Sequence, residues 1–118
     1  AVFARAVKAN YRYKCCISEI TTSDFLIASH IVPWSSDEQN RLNPFNGLCL
    51  SSILDKAFDK GYIAFDDNYR LIISNEIGDD GALNNYLRQY NNSRIQTYGG
   101  SLPDINFIIW HRENIFKG

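Results

Sequence analysis

The chain has 118 residues, a formal net charge of −1, a hydrophobic fraction of 45% and an aromatic fraction of 14%. That is the composition of a folded domain with one core, and no apolar run approaches the roughly 20 residues of a membrane span. It lacks the basic surplus of a domain that holds nucleic acid by bulk charge, so positive potential for such a partner has to come from a local patch, a bound cation or a neighbouring domain.

Two further features bound the setting. The sequence contains no Met, and it opens inside a helical pattern; the expectation is a single domain, residues 1–118, excised from a longer protein. The cysteines are Cys15, Cys16 and Cys49. An odd count with an adjacent pair makes a poor disulfide framework and suits a reducing cytoplasm. Without a CxxC pair, no structural zinc is expected. No signal peptide or basic-apolar presequence is present, and no membrane partner is expected.

Taken in order, residues 2–13 place Val2, Phe3, Ala6, Val7 and Tyr11 at roughly helical spacing. Arg5, Lys8, Arg12 and Lys14 make the other face basic, either as a solvated surface or as phosphate contacts. Cys15–Ser18 reads as a short strand, paired through a turn at residues 21–24 with a second strand at Phe25–Ile31. Val32-Pro33 ends that pairing, because proline cannot donate to a ladder. Residues 35–44 form a polar loop closed by Asn43-Pro44. Asn46-Gly47 starts another strand through Leu50.

Ser52 reads as a helix N-cap with Asp55 three residues on, as in a capping box. Ile53, Leu54, Ala57 and Phe58 give that helix its apolar face, and Gly61 stops it. Tyr62–Phe65 and Arg70–Ser74 flank Asp66-Asp67-Asn68 as a hairpin. A helix follows at 82–89. A last helix, capped by Asp104, carries Phe107 to Phe116.

The stretch 26–61 concentrates the chemistry. His30 ends an apolar strand, Asn46 begins another, and Asp55 stands on the helix after it. Alone, each has a structural reading: a satisfied strand histidine, a turn asparagine, a helix cap. In this order, on strand, strand and helix, they can place an imidazole, an amide and a carboxylate around one pocket. An unperturbed imidazole titrates near neutrality and suits a general base.

The segments ASHIVPW, NPFNGL and LDKAFDKG closely resemble those of the HNH endonucleases, the ββα-metal or His-Me finger nucleases, in the branch found in restriction and defence proteins. RAVKANYRYKCCIS, GYIAFDDNYRLIIS and WHRENIF extend the resemblance over nearly the whole chain. The fold implied is α+β: a ββα-metal core with an extra β-hairpin and flanking N- and C-terminal helices. The activity implied is metal-dependent hydrolysis of DNA phosphodiester bonds, leaving 5′-phosphate and 3′-hydroxyl ends. The rival readings are a catalytically inactive DNA-binding module with this fold, and an RNase or toxin nuclease.

Residue by residue, the resemblance makes His30 the general base, Asn46 the amide that braces its loop, and Asp55 a metal ligand. The family often has histidine at the Asp55 position and an acidic ligand where Ser29 stands. Asp59, one turn beyond Asp55, is either a second ligand or a surface partner of Lys56 or Lys60. Oxygen ligands favour Mg²⁺ or Mn²⁺. Lys56, His111 and Arg112 are the candidate nucleic-acid contacts; the other reading of His111 and Arg112 is the polar outer side of a packed helix. A covalently linked recognition domain and a dimeric arrangement complete the expectations.

Overall fold

The computed structural model describes residues 2–118. Among the described residues, four α-helices and two antiparallel hairpins follow in the order α1 (Val2–Asn10), β1 (Leu26–His30), β2 (Gly47–Ser51), α2 (Ser52–Asp59), β3 (Ile63–Phe65), β4 (Leu71–Ile73), α3 (Gly81–Arg88) and α4 (Ile105–Asn114). This is the α+β architecture expected, with β1, β2 and α2 as its ββα unit.

β1 and β2 pair from Leu26↔Ser51 to His30↔Gly47, and all five residues of β2 are buried. Successive strand residues face opposite ways, so the hairpin offers one face to α1 and the other to α2. Gly47 lies on the α1 face. A Cβ there would overlap Val7 and crowd Phe3, so glycine lets α1 sit directly on the strands. The Tyr11 hydroxyl reinforces this by donating to the Gly47 carbonyl at 3.2 Å. On the other face, Leu54, Ala57 and Phe58 of α2 are buried.

The Cys15–Ser18 strand is not formed. Cys15 N–H bonds Ile20 O at 2.9 Å, Ser18 N–H reaches the Cys15 sulfur at 3.3 Å, and Glu19 adopts φ 68°. The segment is a closed loop whose Cys16 N–H bonds Cys49 O on β2. The partner of β1 is β2, not this segment. A short apolar run signals burial as readily as pairing, and here burial was the signal.

The capping box is also absent. β2 runs straight into α2, so Ser51 takes the N-cap position without a side-chain capping bond. Its hydroxyl pairs instead with that of Ser18 at 2.9 Å. Ser52 is the first helical residue, which moves Asp55 beyond the capping position. Other boundaries shift less: α1 ends at Asn10, with Arg12 and Tyr13 at positive φ.

Gly61 ends α2 at φ +83°, where a Cβ would run into the Ile115 carbonyl. Lys117 N–H bonds the Gly61 carbonyl at 2.9 Å, so the chain's C-terminal residues close over the end of α2. Asp104 caps α4 by accepting from Asn106 N–H.

His111 of α4 is not on an outer surface. It is 2% exposed, stacks on Phe58 at 3.7 Å, and sends Nε2–H to the Phe58 carbonyl at 2.8 Å. Burial lowers its pKa to about 4, against smaller opposing effects of that carbonyl and the Asp59 charge. Its Nδ1 has no hydrogen-bond partner, so protonation would bury an unpaired charged donor.

The unfolded chain therefore takes up this proton first, near the ordinary histidine value. Stability from this group is complete above about pH 6.5 and is lost as pH falls toward about 4. The shift corresponds to about 3 kcal/mol. His111→Phe should abolish this component; the Phe58 carbonyl keeps its bond from Gly61 N–H. Urea unfolding of both proteins from about pH 7 to about pH 4 checks this: wild type should lose more stability than the variant by that amount.

Candidate active site

His30 ends β1, beside the long loop that leads to β2. Its ring lies flat on Phe3 of α1, with centroids 3.8 Å apart and planes 5° apart, and Trp34 meets it edge-on at 5.8 Å. Nε2 is 2.7 Å from the backbone carbonyl of Arg41. A carbonyl can only accept, so Nε2 carries the proton. In the neutral ring Nδ1 then holds the lone pair and is the basic atom.

The loop that supplies the Arg41 carbonyl is held by one side chain. Asn46 is fully buried. Its Oδ1 accepts from Val32 N–H at 2.8 Å. Its Nδ2 donates to the carbonyls of Val32 at 3.1 Å and Asn40 at 3.3 Å. Its own carbonyl accepts from Ile31 N–H at 3.0 Å. Both ends of the loop are thus tied to one amide. Inside the loop, Asn40 bonds Asp37 at 2.8 Å, and Asn43 bonds Asn40 at 3.2 Å while accepting from Phe45 N–H at 2.9 Å.

Ser29, one residue before His30, faces the other way, toward α2. Its side chain lies near enough to the Asp55 carboxylate to favour the charged form. Burial holds the Asp55 pKa above its ordinary value, the neighbouring Asp59 charge adds to the rise, and Ser29 and Lys56 oppose it. A half-buried carboxylate with a destabilised negative charge has a use for a cation. The donors that meet here are oxygens, as hard ions require. Among the described residues no three His, Cys, Asp or Glu side chains gather. An ion held here would rest on Asp55 and Ser29 and retain several waters, as Mg²⁺ does.

The remaining candidates fall elsewhere. Asp59 and Lys60 are exposed and 3.9 Å apart, a surface pair of little energetic weight. Lys56 is exposed on α2. His111 is enclosed in the core and has no surface to offer a phosphate, which corrects its assignment as a nucleic-acid contact. Arg112 donates to the Phe65 carbonyl at 2.8 Å and pairs with Asp67 at 2.6 Å. Its guanidinium pins α4 to the second hairpin, away from His30. A polar cavity of about 370 Å³ beside α3, lined by Ser74, Asn75, Asn84 and Arg88, shares no residue with this site.

Three contributors were not singled out from sequence. The Arg41 carbonyl is a backbone group and has no signature of its own. Phe3 is visible only as part of the apolar face of α1. Trp34 stands in the ASHIVPW segment, where an exposed aromatic beside a candidate base was the available signal.

A family model described as HNH endonuclease matches residues 15–66. No curated protein sequence matches the chain. Among solved structures, a modification-dependent TagI restriction endonuclease is similar in fold, with a TM-score of 0.69 and 18% identity over 98% of this chain. This chain spans 38% of the length of that one.

Two substitutions probe the arrangement. Asn46→Ala leaves the buried Val32 N–H and carbonyl unpaired and should cost about 2–4 kcal/mol in urea unfolding. Asp55→Asn removes a charge that burial disfavours. Ionising Asp55 costs stability as pH rises past the ordinary carboxylate range, so the metal-free variant should unfold no more easily than wild type at neutral pH. Saturating Mg²⁺ or Mn²⁺ should stabilise wild type by about 1–3 kcal/mol and the variant much less, as read by thermal melts with and without the ion.

Proposed function

We propose, from the premise that residues 15–66 belong to the HNH endonuclease family, that this domain hydrolyses DNA phosphodiester bonds as the nuclease part of a restriction-type protein. The observation that carries the reading is the fixed tautomer of His30. Nε2 is committed to the Arg41 carbonyl, which leaves Nδ1 to take a proton from water. The Asn46 amide keeps that carbonyl in position.

In this reading His30 Nδ1 accepts the proton of the attacking water. The water oxygen bonds phosphorus in line with the leaving 3′ oxygen, and the bond from phosphorus to that oxygen breaks. The leaving oxygen takes a proton from solvent, giving 5′-phosphate and 3′-hydroxyl ends. Asp55 and Ser29 are the side chains that would hold a divalent cation. Bound there, it would supply positive charge to hold the phosphate and to stabilise the leaving oxygen. Phe3 and Trp34 restrict the ring's orientation, so its basic atom is presented without a search over rotamers.

Recognition is assigned to a further domain of a longer chain. Two facts support this: this chain spans 38% of its structural relative, and its net charge of −1 gives little non-specific phosphate affinity. Among the described residues no helix is long and apolar enough to cross a membrane.

His30→Ala should lower the rate of nicking of supercoiled DNA by about 10²–10⁴-fold while the protein stays folded by circular dichroism. EDTA should stop wild-type nicking, and a parallel RNA substrate should be cut poorly. A folded His30→Ala protein that nicks at the wild-type rate would remove His30 from the mechanism.

A further inference from the structure

The loop between β1 and β2 exposes side chains that a core would normally claim. Trp34 is 52% exposed, with Leu42 at 61% and Phe45 at 46%. Large apolar groups clustered in one loop beside a reactive histidine call for an explanation. Trp34 is also well fixed. It follows Pro33 at the start of a single 3₁₀ turn, Trp34–Ser36, closed by Ser36 N–H on the Pro33 carbonyl at 2.9 Å.

The indole has two charged or basic neighbours. Its ring stands roughly perpendicular to that of His30, with centroids 5.8 Å apart. The Arg41 guanidinium lies over its ring at 4.7 Å from the centroid. Among the described residues Arg41 has no salt-bridge partner, so its charge is not neutralised by a carboxylate. Arg41 is therefore used twice: its backbone fixes the His30 proton, and its side chain sits on Trp34.

A rigid, half-exposed aromatic ring backed by an unpaired guanidinium is the chemistry that stacks a nucleobase and attracts its phosphate. A base still paired in a duplex presents only its edge to the groove and keeps its faces against its neighbours. A free face is available only where the strand is single or locally opened.

We infer that Trp34, backed by Arg41, is a stacking platform for an unpaired DNA base next to the phosphate that is cut. Trp34 and Arg41 are positioning residues: they seat the nucleotide while His30 Nδ1 does the chemistry. The inference rests on the nuclease reading above and adds a substrate preference to it, for single-stranded or locally opened DNA over intact duplex.

Binding is measured in the His30→Ala protein, so that the DNA stays whole, with fluorescein-labelled oligonucleotides of one sequence. One is single-stranded, one is a duplex with a central unpaired base, and one is fully paired. Adding Trp34→Ala should weaken binding to the first two about tenfold, the usual scale of one base–aromatic stack, and leave the paired duplex within about twofold. Trp34→Phe should keep most of the affinity, and Arg41→Ala should lose part of it.

A second readout reports the contact itself. In a Trp110→Phe background the remaining indole is Trp34, and its fluorescence should be quenched by the single strand and not by the paired duplex. Equal affinity of Trp34→Ala and its parent for all three probes, or equal loss on all three, overturns the platform. Wild-type cleavage run alongside separates the two readings. Cutting with no role for Trp34 defeats the platform alone; wild type that neither binds nor cuts DNA defeats the nuclease reading and the platform with it.

Discussion

One carboxamide decides the conformation of the loop on which the site depends. Asn46 satisfies the amide and carbonyl of Val32, a residue 14 positions earlier, and reaches the Asn40 carbonyl with its remaining donor. A side chain with two donors and one acceptor oxygen, fully enclosed, has to find partners or carry a large burial cost. Here the partners are the loop's own backbone. Arg41, next to Asn40, then presents its carbonyl to His30. The tautomer of the imidazole is set through this chain of bonds, and no carboxylate is needed to hold the ring.

The same economy governs the hairpin. Because consecutive strand residues face opposite ways, Ser29 and His30 serve different walls: Ser29 addresses Asp55 on α2, and His30 rests on Phe3 of α1. The absence of a linker between β2 and α2 brings Asp55 to the level of Ser29. Had Ser52 capped the helix as its sequence context suggests, Asp55 would have been occupied near the helix start. The pairing of the Ser51 and Ser18 hydroxyls takes the one group that could have capped, and the loop holding Ser18 is itself bonded to β2 through Cys16.

Much of this was legible beforehand, for identifiable reasons. The ββα unit, the second hairpin and α4 carry local signals: a capping aspartate at Asp104, a left-handed stop at Gly61, and Asp66-Asp67-Asn68 between two apolar runs. The brace role of Asn46 came from the resemblance, and the geometry gives it a physical basis. What was not legible is non-local. Cys15–Ser18 has the composition of a strand, yet its hydrogen bonds are spent within its own turn and on β2. His111 and Arg112 look like a polar pair on a helix end, yet the flat ring fits against Phe58, and the guanidinium finds a backbone carbonyl and Asp67 on a hairpin that sequence does not place beside it. Backbone groups such as the Arg41 carbonyl leave no trace in residue identity at all.

The wall behind the imidazole comes from Phe3, which lies outside residues 15–66 that carry the family likeness. The motif and its support therefore occupy different parts of the gene. The seat of the ring is thus built by a helix outside the matched stretch, and Gly47 marks the point where that helix is allowed close enough to matter.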